Sequence, residues 1–176
     1  SAPTARSLRP SFEATAERAQ RLIEAEAAYR RALAIDPTAV EAHLRRGRVL
    51  LDLGRAPEAG PEFEWVGAHS PPDDLRYLAV LFRGLAEERA RNWAAAGALF
   101  REAQRIGPKG ARAAAIALAH ARDRSGDPEG AQSVLATMLA GPASHDPFDV
   151  YLFGPSGEED RLLGRLQKEA VRPARP

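Results

Sequence analysis

The chain has 176 residues, of which 44% are hydrophobic and 28% are charged, so it can form one domain or one repeat array with a buried core. Its 25 Lys and Arg residues are balanced by 24 Asp and Glu residues, which argues against the concentrated basic face that nucleic-acid binding requires. It contains no cysteine, which excludes disulfide bonds, thiol nucleophiles and cysteine zinc sites, and no apolar run approaches the length of a membrane span.

The first ten residues, SAPTARSLRP, are polar and include two prolines, which is typical of an unfolded end. We expect residues 1–10 to form a flexible lead. Such a lead fits a chain whose signal peptide has been removed, and it also fits a chain that has been shortened. Between the two, we slightly favour a periplasmic or secreted location over a cytoplasmic one.

A single long helix is predicted next. No Gly, Pro or Asn interrupts the segment SFEATAERAQRLIEAEAAYRRALAI, and its apolar residues keep a helical period from Phe12 to Leu33. We predict one helix from about Ser11 to Ile35. Residues 11–37 would then begin the fold as a cap and a partial repeat.

The sequence pattern at the end of this helix recurs three times along the chain. The four copies are YRRALAIDP, FEWVGAHSP, FREAQRIGP and VLATMLAGP. They close at Pro37, Pro71, Pro108 and Pro142, with spacings of 34, 37 and 34 residues. A period of this length indicates an array of helical hairpins.

Each copy also keeps one pattern of small and large side chains. Eight residues before each proline the residue is large and apolar: Tyr29, Phe63, Phe100 and Val134. Twelve residues before each proline it is small: Ala25, Ala59, Ala96 and Gly130. Gly47 and Gly84 lie twenty-four residues before Pro71 and Pro108, whereas Leu118 takes this place in the last unit. We expect the small residues to let two helices approach and the large residue to fill the space beside the crossing.

Short turns separate the two helices of each pair. Gly54 lies in the first turn, Asn92 is predicted to cap the helix after the second, and Asp127 with Pro128 is predicted to begin the helix after the third. Thr38 and Glu41 fit a capping box at the start of the second unit.

This pattern resembles the tetratricopeptide repeat (TPR) family, whose unit has 34 residues and the same order of small, large and proline positions. The resemblance covers residues 40–73, 77–110 and 111–142, so that the array would span residues 11–142. The phrases EAHLRRGRVLLDLGR, LRYLAVLFRGLAEE and DPFDVYLFG are similar to an uncharacterised bacterial group of the family. The resemblance implies an all-α, TPR-type solenoid wound as a right-handed superhelix, with about three full repeats, a long N-terminal helix and a C-terminal capping helix.

The repeat pattern ends at Pro142, and residues 143–176 are predicted to form a C-terminal cap and tail. Asp146 and Pro147 would begin a short helix, and a final helix would follow the GPSG turn. We expect these helices to cover the open end of the last repeat, which solenoids require. The alternative is that the aromatic segment docks a partner through Phe148, Tyr151 and Phe153.

No motif for catalysis is present in the sequence. The segment FGPSGEED has neither the lysine and spacing of a phosphate-binding loop nor the pattern of a nucleophile elbow. His43 takes a position that is bulky and packed in this repeat, and His120 has no histidine or carboxylate four residues on. We therefore expect a non-enzymatic protein with no catalytic residue, no cofactor and no metal site.

In TPR proteins the first helix of each pair lines a concave groove, which suits a peptide or a partner helix. In this sequence the candidate partner-binding positions in the groove are Arg45, Arg48, Leu51, Phe82, Leu85, Arg89, Arg112 and Arg122. Phe82 would receive an apolar anchor, and the arginines would pair with carboxylates of the ligand. The alternative is that neighbouring helices cover Phe82 and Leu85 and that the arginines are ordinary surface.

Two functions follow from these observations. The first is a scaffold that binds another protein in the groove, with no nucleic acid and no direct membrane span. The second is a structural subunit of a larger envelope or extracellular assembly, which docks through its edges and terminal segments. A groove that clamps a chaperone's C-terminal carboxylate is disfavoured, because it needs asparagines and Asn92, in a turn, is the only one in the chain.

Overall fold

The computed structural model describes residues 5–69, 71–109, 111–141 and 146–153, and all regular structure in these ranges is helical. The helices, in chain order, are α1 (Ala5–Ile35), α2 (Val40–Asp52), α3 (Ala56–Ala68), α4 (Asp73–Arg89), α5 (Trp93–Ile106), α6 (Arg112–Arg124), α7 (Pro128–Ala140) and α8 (Pro147–Phe153). None of them combines the length and the hydropathy that a bilayer span requires.

Three consecutive hairpins form the body of the fold. Helices α2 and α3, α4 and α5, and α6 and α7 pair with one another, and each pair packs against the next through α3 with α4 and α5 with α6. The first helices of the pairs also touch in order, α2 with α4 and α4 with α6, so they share one side of the array. The all-α hairpin solenoid predicted from the proline spacing is confirmed.

The small and large positions of the repeat meet between the helices of each pair. A Cβ atom built on Gly47 would lie 2.6 Å from Cε1 of Phe63, and one built on Gly84 would overlap the ring of Phe100. Both rings are fully buried. The absent side chain of the first helix therefore makes the space that the aromatic ring of the second helix fills.

Gly54 and Asp127 act in the hairpin turns as the sequence indicates. Gly54 and Gly126 have φ angles of 76° and 87°, in the left-handed region that glycine adopts at the end of a helix. The carboxylate of Asp127 accepts a hydrogen bond of 2.8 Å from the backbone N–H of Gly130, with Pro128 at the first position of α7. The helix end predicted at Gly54 and the helix start predicted at Asp127 and Pro128 are confirmed.

Two predicted caps differ in the structure. Helix α2 begins at Val40 after Ala39, so the predicted capping box of Thr38 and Glu41 is wrong. The hydroxyl of Thr38 instead donates to the carboxylate of Asp36 at 2.7 Å, which satisfies it locally before the helix starts. Asn92 does occupy the N-cap position of α5, but its side chain donates to Glu87 rather than accepting from the helix.

Helix α1 begins at Ala5, six residues before the predicted start at Ser11, since alanine, arginine and leucine in this segment favour helix. The side chains of residues 15–21 are exposed, and the C-terminal half of α1 attaches the helix to α2. There the buried Glu26 forms an ion pair of 3.1 Å with Arg46, which also pairs with Glu62 of α3. One guanidinium thus connects α1 to the first hairpin.

Candidate binding groove

The floor of the groove is aromatic and belongs to the core. Phe82, in the middle of α4, has no exposed surface, and its ring lies 5.6 Å from that of Phe63 in α3. Leu51 of α2 is likewise fully buried, and Leu85 is half-buried against the core. The apolar centre predicted for the groove is therefore part of the packed interior.

Helix α8 covers this floor. The rings of Phe148 and Tyr151 meet Phe82 edge-on, with ring centroids 6.0 and 5.3 Å apart. Because the two residues are three positions apart, they lie on one face of the helix. The place where we expected a partner's apolar anchor is occupied by aromatic residues of the chain itself.

Arginines of α2 border the aromatic cluster. The guanidinium of Arg48 lies 5.2 Å from the centroid of Phe82, and that of Arg45 lies 5.3 Å from the centroid of Tyr151. Both distances fall in the range of cation–π attraction. Burial raises the pKa of the Tyr151 phenol to about 12, although the same two guanidinium groups lower it in part.

Acidic side chains of the array hold these arginines in place. Asp52 accepts hydrogen bonds from Nε of Arg48 at 3.1 Å and from Nη2 of Arg89 at 3.4 Å, so it bridges α2 and α4. Arg45 pairs with Glu41 one turn earlier at 2.7 Å. These ion pairs orient the guanidinium groups that border the groove.

A buried carboxylate fixes the start of α8. Asp146 is only 2% exposed and accepts three hydrogen bonds, from the hydroxyl of Tyr77 at 3.0 Å and from the backbone N–H groups of Ala113 at 2.7 Å and Phe148 at 3.0 Å. Ala113 is the second residue of α6, so the carboxylate lies at the positive end of that helix. Burial and the neighbouring Asp146 raise the pKa of Tyr77 well above its ordinary value, so the phenol remains a donor.

The structure brings together only part of the predicted groove set. Arg45, Arg48 and Phe82 contact one another or the rings of α8, and Arg89 joins them through Asp52. Arg112, half-buried, lies in the first turn of α6, beside the N–H group that binds Asp146.

Two other predicted residues are placed differently. Arg122 lies at the far end of α6, in the cleft beside α7, where it pairs with Asp127 at 3.6 Å. Phe153 ends α8, but its side chain lies outside the described residues, as does the final helix predicted after the GPSG turn.

Sequence reasoning missed Tyr77 and the role of Asp146 as site residues. The pair Asp146 and Pro147 signalled the start of a helix, and it does start one. No signal in the sequence linked it to Tyr77, which lies 69 residues earlier.

Of the three histidines that the structure describes, His43 and His69 pack on the indole of Trp65, and the half-exposed His120 lies 3.4 Å from Glu88. The ring centroids of His43 and His69 lie 3.8 and 3.6 Å from that of Trp65, and both rings stack on the indole. Nδ1 of His43 also forms a hydrogen bond of 2.7 Å with the carboxylate of Glu62. Within the described ranges, no three His, Asp or Glu side chains group closely enough to hold a metal ion.

Comparisons with known proteins agree on the architecture. Two protein-family models described as tetratricopeptide repeat match residues 16–81 and 68–111, which together span more than half of the chain. Among solved structures, that of MamA (residues 41 to the end) from Desulfovibrio magneticus RS-1 is similar, with a TM-score of 0.60 and 22% sequence identity. The match covers 72% of this chain and 67% of that chain, and at this identity it shows the fold. No curated protein matches the sequence significantly.

Proposed function

Because this chain belongs to the tetratricopeptide repeat family, we propose that it is a non-enzymatic scaffold that binds a peptide or helix of another protein in its concave groove. Proteins of this family are generally scaffolds without catalysis. The observation that carries the proposal is the groove's own content: the surface of α2, α4 and α6 already accommodates a short helix with two aromatic rings and a buried carboxylate.

The groove offers two kinds of contact to a partner. The proposed apolar floor consists of Phe82, Leu51 and Leu85, which belong to the packed core. The proposed cationic contacts are Arg45, Arg48, Arg89 and Arg112 near the aromatic floor, with Arg122 farther away at the end of α6. An apolar anchor flanked by carboxylates fits this arrangement, since aromatic and arginine contacts carry most of the binding energy in protein interfaces. The proposed docking segment at Phe148, Tyr151 and Phe153 has this chemistry within the chain.

Phe82 is unsuitable as the test residue. Its side chain is fully buried against Phe63, so Phe82→Ala would leave a cavity and lower the free energy of unfolding by about 3–5 kcal/mol. Replacing Arg45 would loosen α8, because it contacts the ring of Tyr151, and replacing Arg48 would remove a contact with the buried ring of Phe82. Arg89 joins the groove through Asp52 instead, and its side chain is 43% exposed.

We therefore choose Arg89→Glu, with Arg55→Glu as the matched control. Arg55 is also 43% exposed and also pairs with one carboxylate, Glu58, but it lies in the turn before α3. Both exchanges alter surface pairs of small energetic value, so the fold should survive. In affinity capture from the native cell with quantitative mass spectrometry, Arg89→Glu should reduce recovery of the partner about tenfold or more, while Arg55→Glu should not. Equal recovery with wild type, Arg89→Glu and Arg55→Glu would overturn groove binding.

A second candidate, a structural subunit of a larger envelope or extracellular assembly, is favoured by the exposed part of α1. Ile23 on this helix is 53% exposed and follows residues 15–21, whose side chains are exposed. Under this alternative, Ile23→Asp should release the protein from its assembly in light-scattering measurements of the native complex, and Arg89→Glu should leave the assembly intact. The reverse pattern would favour groove binding.

A further inference from the structure

We propose that α8 is a displaceable internal ligand of the groove, and that the partner's binding segment has the same chemistry. That segment is a short helix with an acidic residue followed two and five positions later by aromatic residues, as Asp146, Phe148 and Tyr151 are arranged here. The inference rests on the proposed function, since it names what the groove recognises and what keeps the groove closed.

The contacts of α8 resemble those of a bound peptide. A helix of seven residues is too short to be stable alone, so its helical form depends on what it packs against. Here the binding groups are two aromatic anchors on Phe82 and one carboxylate with charge-assisted hydrogen bonds. An amphipathic helix held in a groove by a few anchors is a recurring mode of peptide recognition.

The positions of these contacts define the direction in which a helix bound in the groove crosses the array. The carboxylate of Asp146 binds at the start of α6, the rings lie over α4, and Tyr151 extends to Arg45 of α2. The occupant therefore crosses the array from the last hairpin to the first. A partner segment of the same chemistry should bind with its acidic residue at α6 and its second aromatic residue at α2.

Occupation by α8 excludes a partner from the same floor. Phe82 has no exposed surface while α8 is in place, so a partner's anchor has to replace Phe148 and Tyr151. Only four residues separate Gly141, at the end of α7, from Asp146. A ligand tethered so closely has an effective concentration on the order of millimolar, which lowers the apparent affinity of any competitor.

The test is direct binding of a labelled peptide to the full chain. The peptide ASHDPFDVYLF, residues 143–153, carries a fluorescein group for anisotropy. The receptor is the Phe148→Ala/Tyr151→Ala double variant, whose own segment has lost both anchors. We expect the peptide to bind this variant at least tenfold more tightly than it binds wild type. A peptide with the same two alanines, and one with Asp146→Asn, should each bind at least tenfold more weakly.

A matched receptor control is Leu139→Ala, which removes an apolar side chain that is 78% exposed on α7. This variant should bind the peptide as weakly as wild type. If the double variant and wild type bind equally, or if the double variant folds by circular dichroism but does not bind, the inference is wrong.

If the double variant does not fold, amide hydrogen exchange in the wild-type protein tests whether α8 is displaceable. A displaceable α8 should exchange at least tenfold faster than the central turns of α4, because it leaves the groove without unfolding of the array. Equal protection of the two helices would show that α8 is a fixed part of the core and would overturn the inference.

The two proposals can fail separately. Peptide binding to the vacated groove without any Arg89-dependent partner in cells would support internal occupation and contradict the scaffold function. An Arg89-dependent partner together with no peptide binding to the folded double variant would support the scaffold function and overturn the internal ligand.

Discussion

Because Gly47 has no side chain, one aromatic ring can occupy the space beside it. The ring of Phe63 lies where a side chain at position 47 would be, and Phe100 has the same relation to Gly84. In the last hairpin the sizes are exchanged, because Leu118 takes the glycine position and the smaller Val134 takes the aromatic position. At the scale of the residue, the first two hairpins thus share a glycine–aromatic pair that the last hairpin lacks.

This complementarity predicts the effect of a single methyl group. We expect Gly47→Ala to lower the free energy of unfolding by about 1–3 kcal/mol, because the added Cβ would lie 2.6 Å from a fully buried ring that has no room to move. The steric cost exceeds the gain in helix propensity, which is about 0.5–1 kcal/mol for alanine over glycine. Urea unfolding followed by circular dichroism measures the difference.

Gly97→Ala is the matched control for this exchange. Gly97 is also buried within a helix, but the nearest atoms to its added Cβ are 3.8 Å away on Leu118 and 3.9 Å away on Ala121. These are ordinary contact distances, so the variant should be neutral or slightly more stable. A Gly47→Ala protein as stable as the Gly97→Ala protein would contradict the proposed role of the glycine.

At the scale of the element, the sequence predicted the six helices of the hairpins better than the position of α8. The hairpins repeat, so each glycine, aromatic residue and proline is supported by others at the same spacing. The hydrogen bond between Tyr77 and Asp146 occurs once and joins residues 69 apart, so no pattern reveals it. The sequence indicated Phe82 as a groove residue and Phe148 with Tyr151 as a docking segment, but only the three-dimensional packing places the two against each other.

Because Tyr151 is buried, the protein should lose stability at alkaline pH. Burial raises the pKa of its phenol from 10.0 to about 12. Above pH 10 the unfolded chain therefore loses this proton before the folded chain does, and the free energy of unfolding falls as pH rises to about 12. The stabilisation from this group is fully present below pH 10.

We expect Tyr151→Phe to remove this part of the alkaline loss. Between pH 10 and pH 12 the wild-type free energy of unfolding should fall more steeply than that of the variant, by about 1 kcal/mol per pH unit. At pH 7 the two proteins should be nearly equally stable, since phenylalanine keeps the ring that contacts Phe82 and Arg45. Denaturant titrations at a series of pH values give the slopes, and parallel slopes would show that the phenol is not buried in solution.

At the scale of the whole molecule, α8 changes how the array is connected. In the rest of the solenoid the hairpins contact their neighbours in sequence. Residues of α8 and its N-cap contact three hairpins at once: Tyr151 meets Arg45 of α2 and Phe82 of α4, and Asp146 bonds to Ala113 of α6. A chain of hairpins coupled only to their neighbours can open in parts, whereas a segment shared by three of them makes partial opening more costly.

The two tryptophans of the chain can measure this coupling, because Trp65 lies in α3 of the first hairpin and Trp93 begins α5 of the second. In Trp93→Phe and Trp65→Phe backgrounds, fluorescence follows one hairpin at a time during urea unfolding. We expect Phe148→Ala/Tyr151→Ala to shift the two midpoints by different amounts, separated by roughly 0.5 M urea, which corresponds to about 1 kcal/mol at a typical slope. Leu139→Ala, on the exposed face of α7, should not separate them. Equal shifts at both tryptophans would mean that the hairpins unfold as one unit without α8, and that the segment occupies the groove without linking the array.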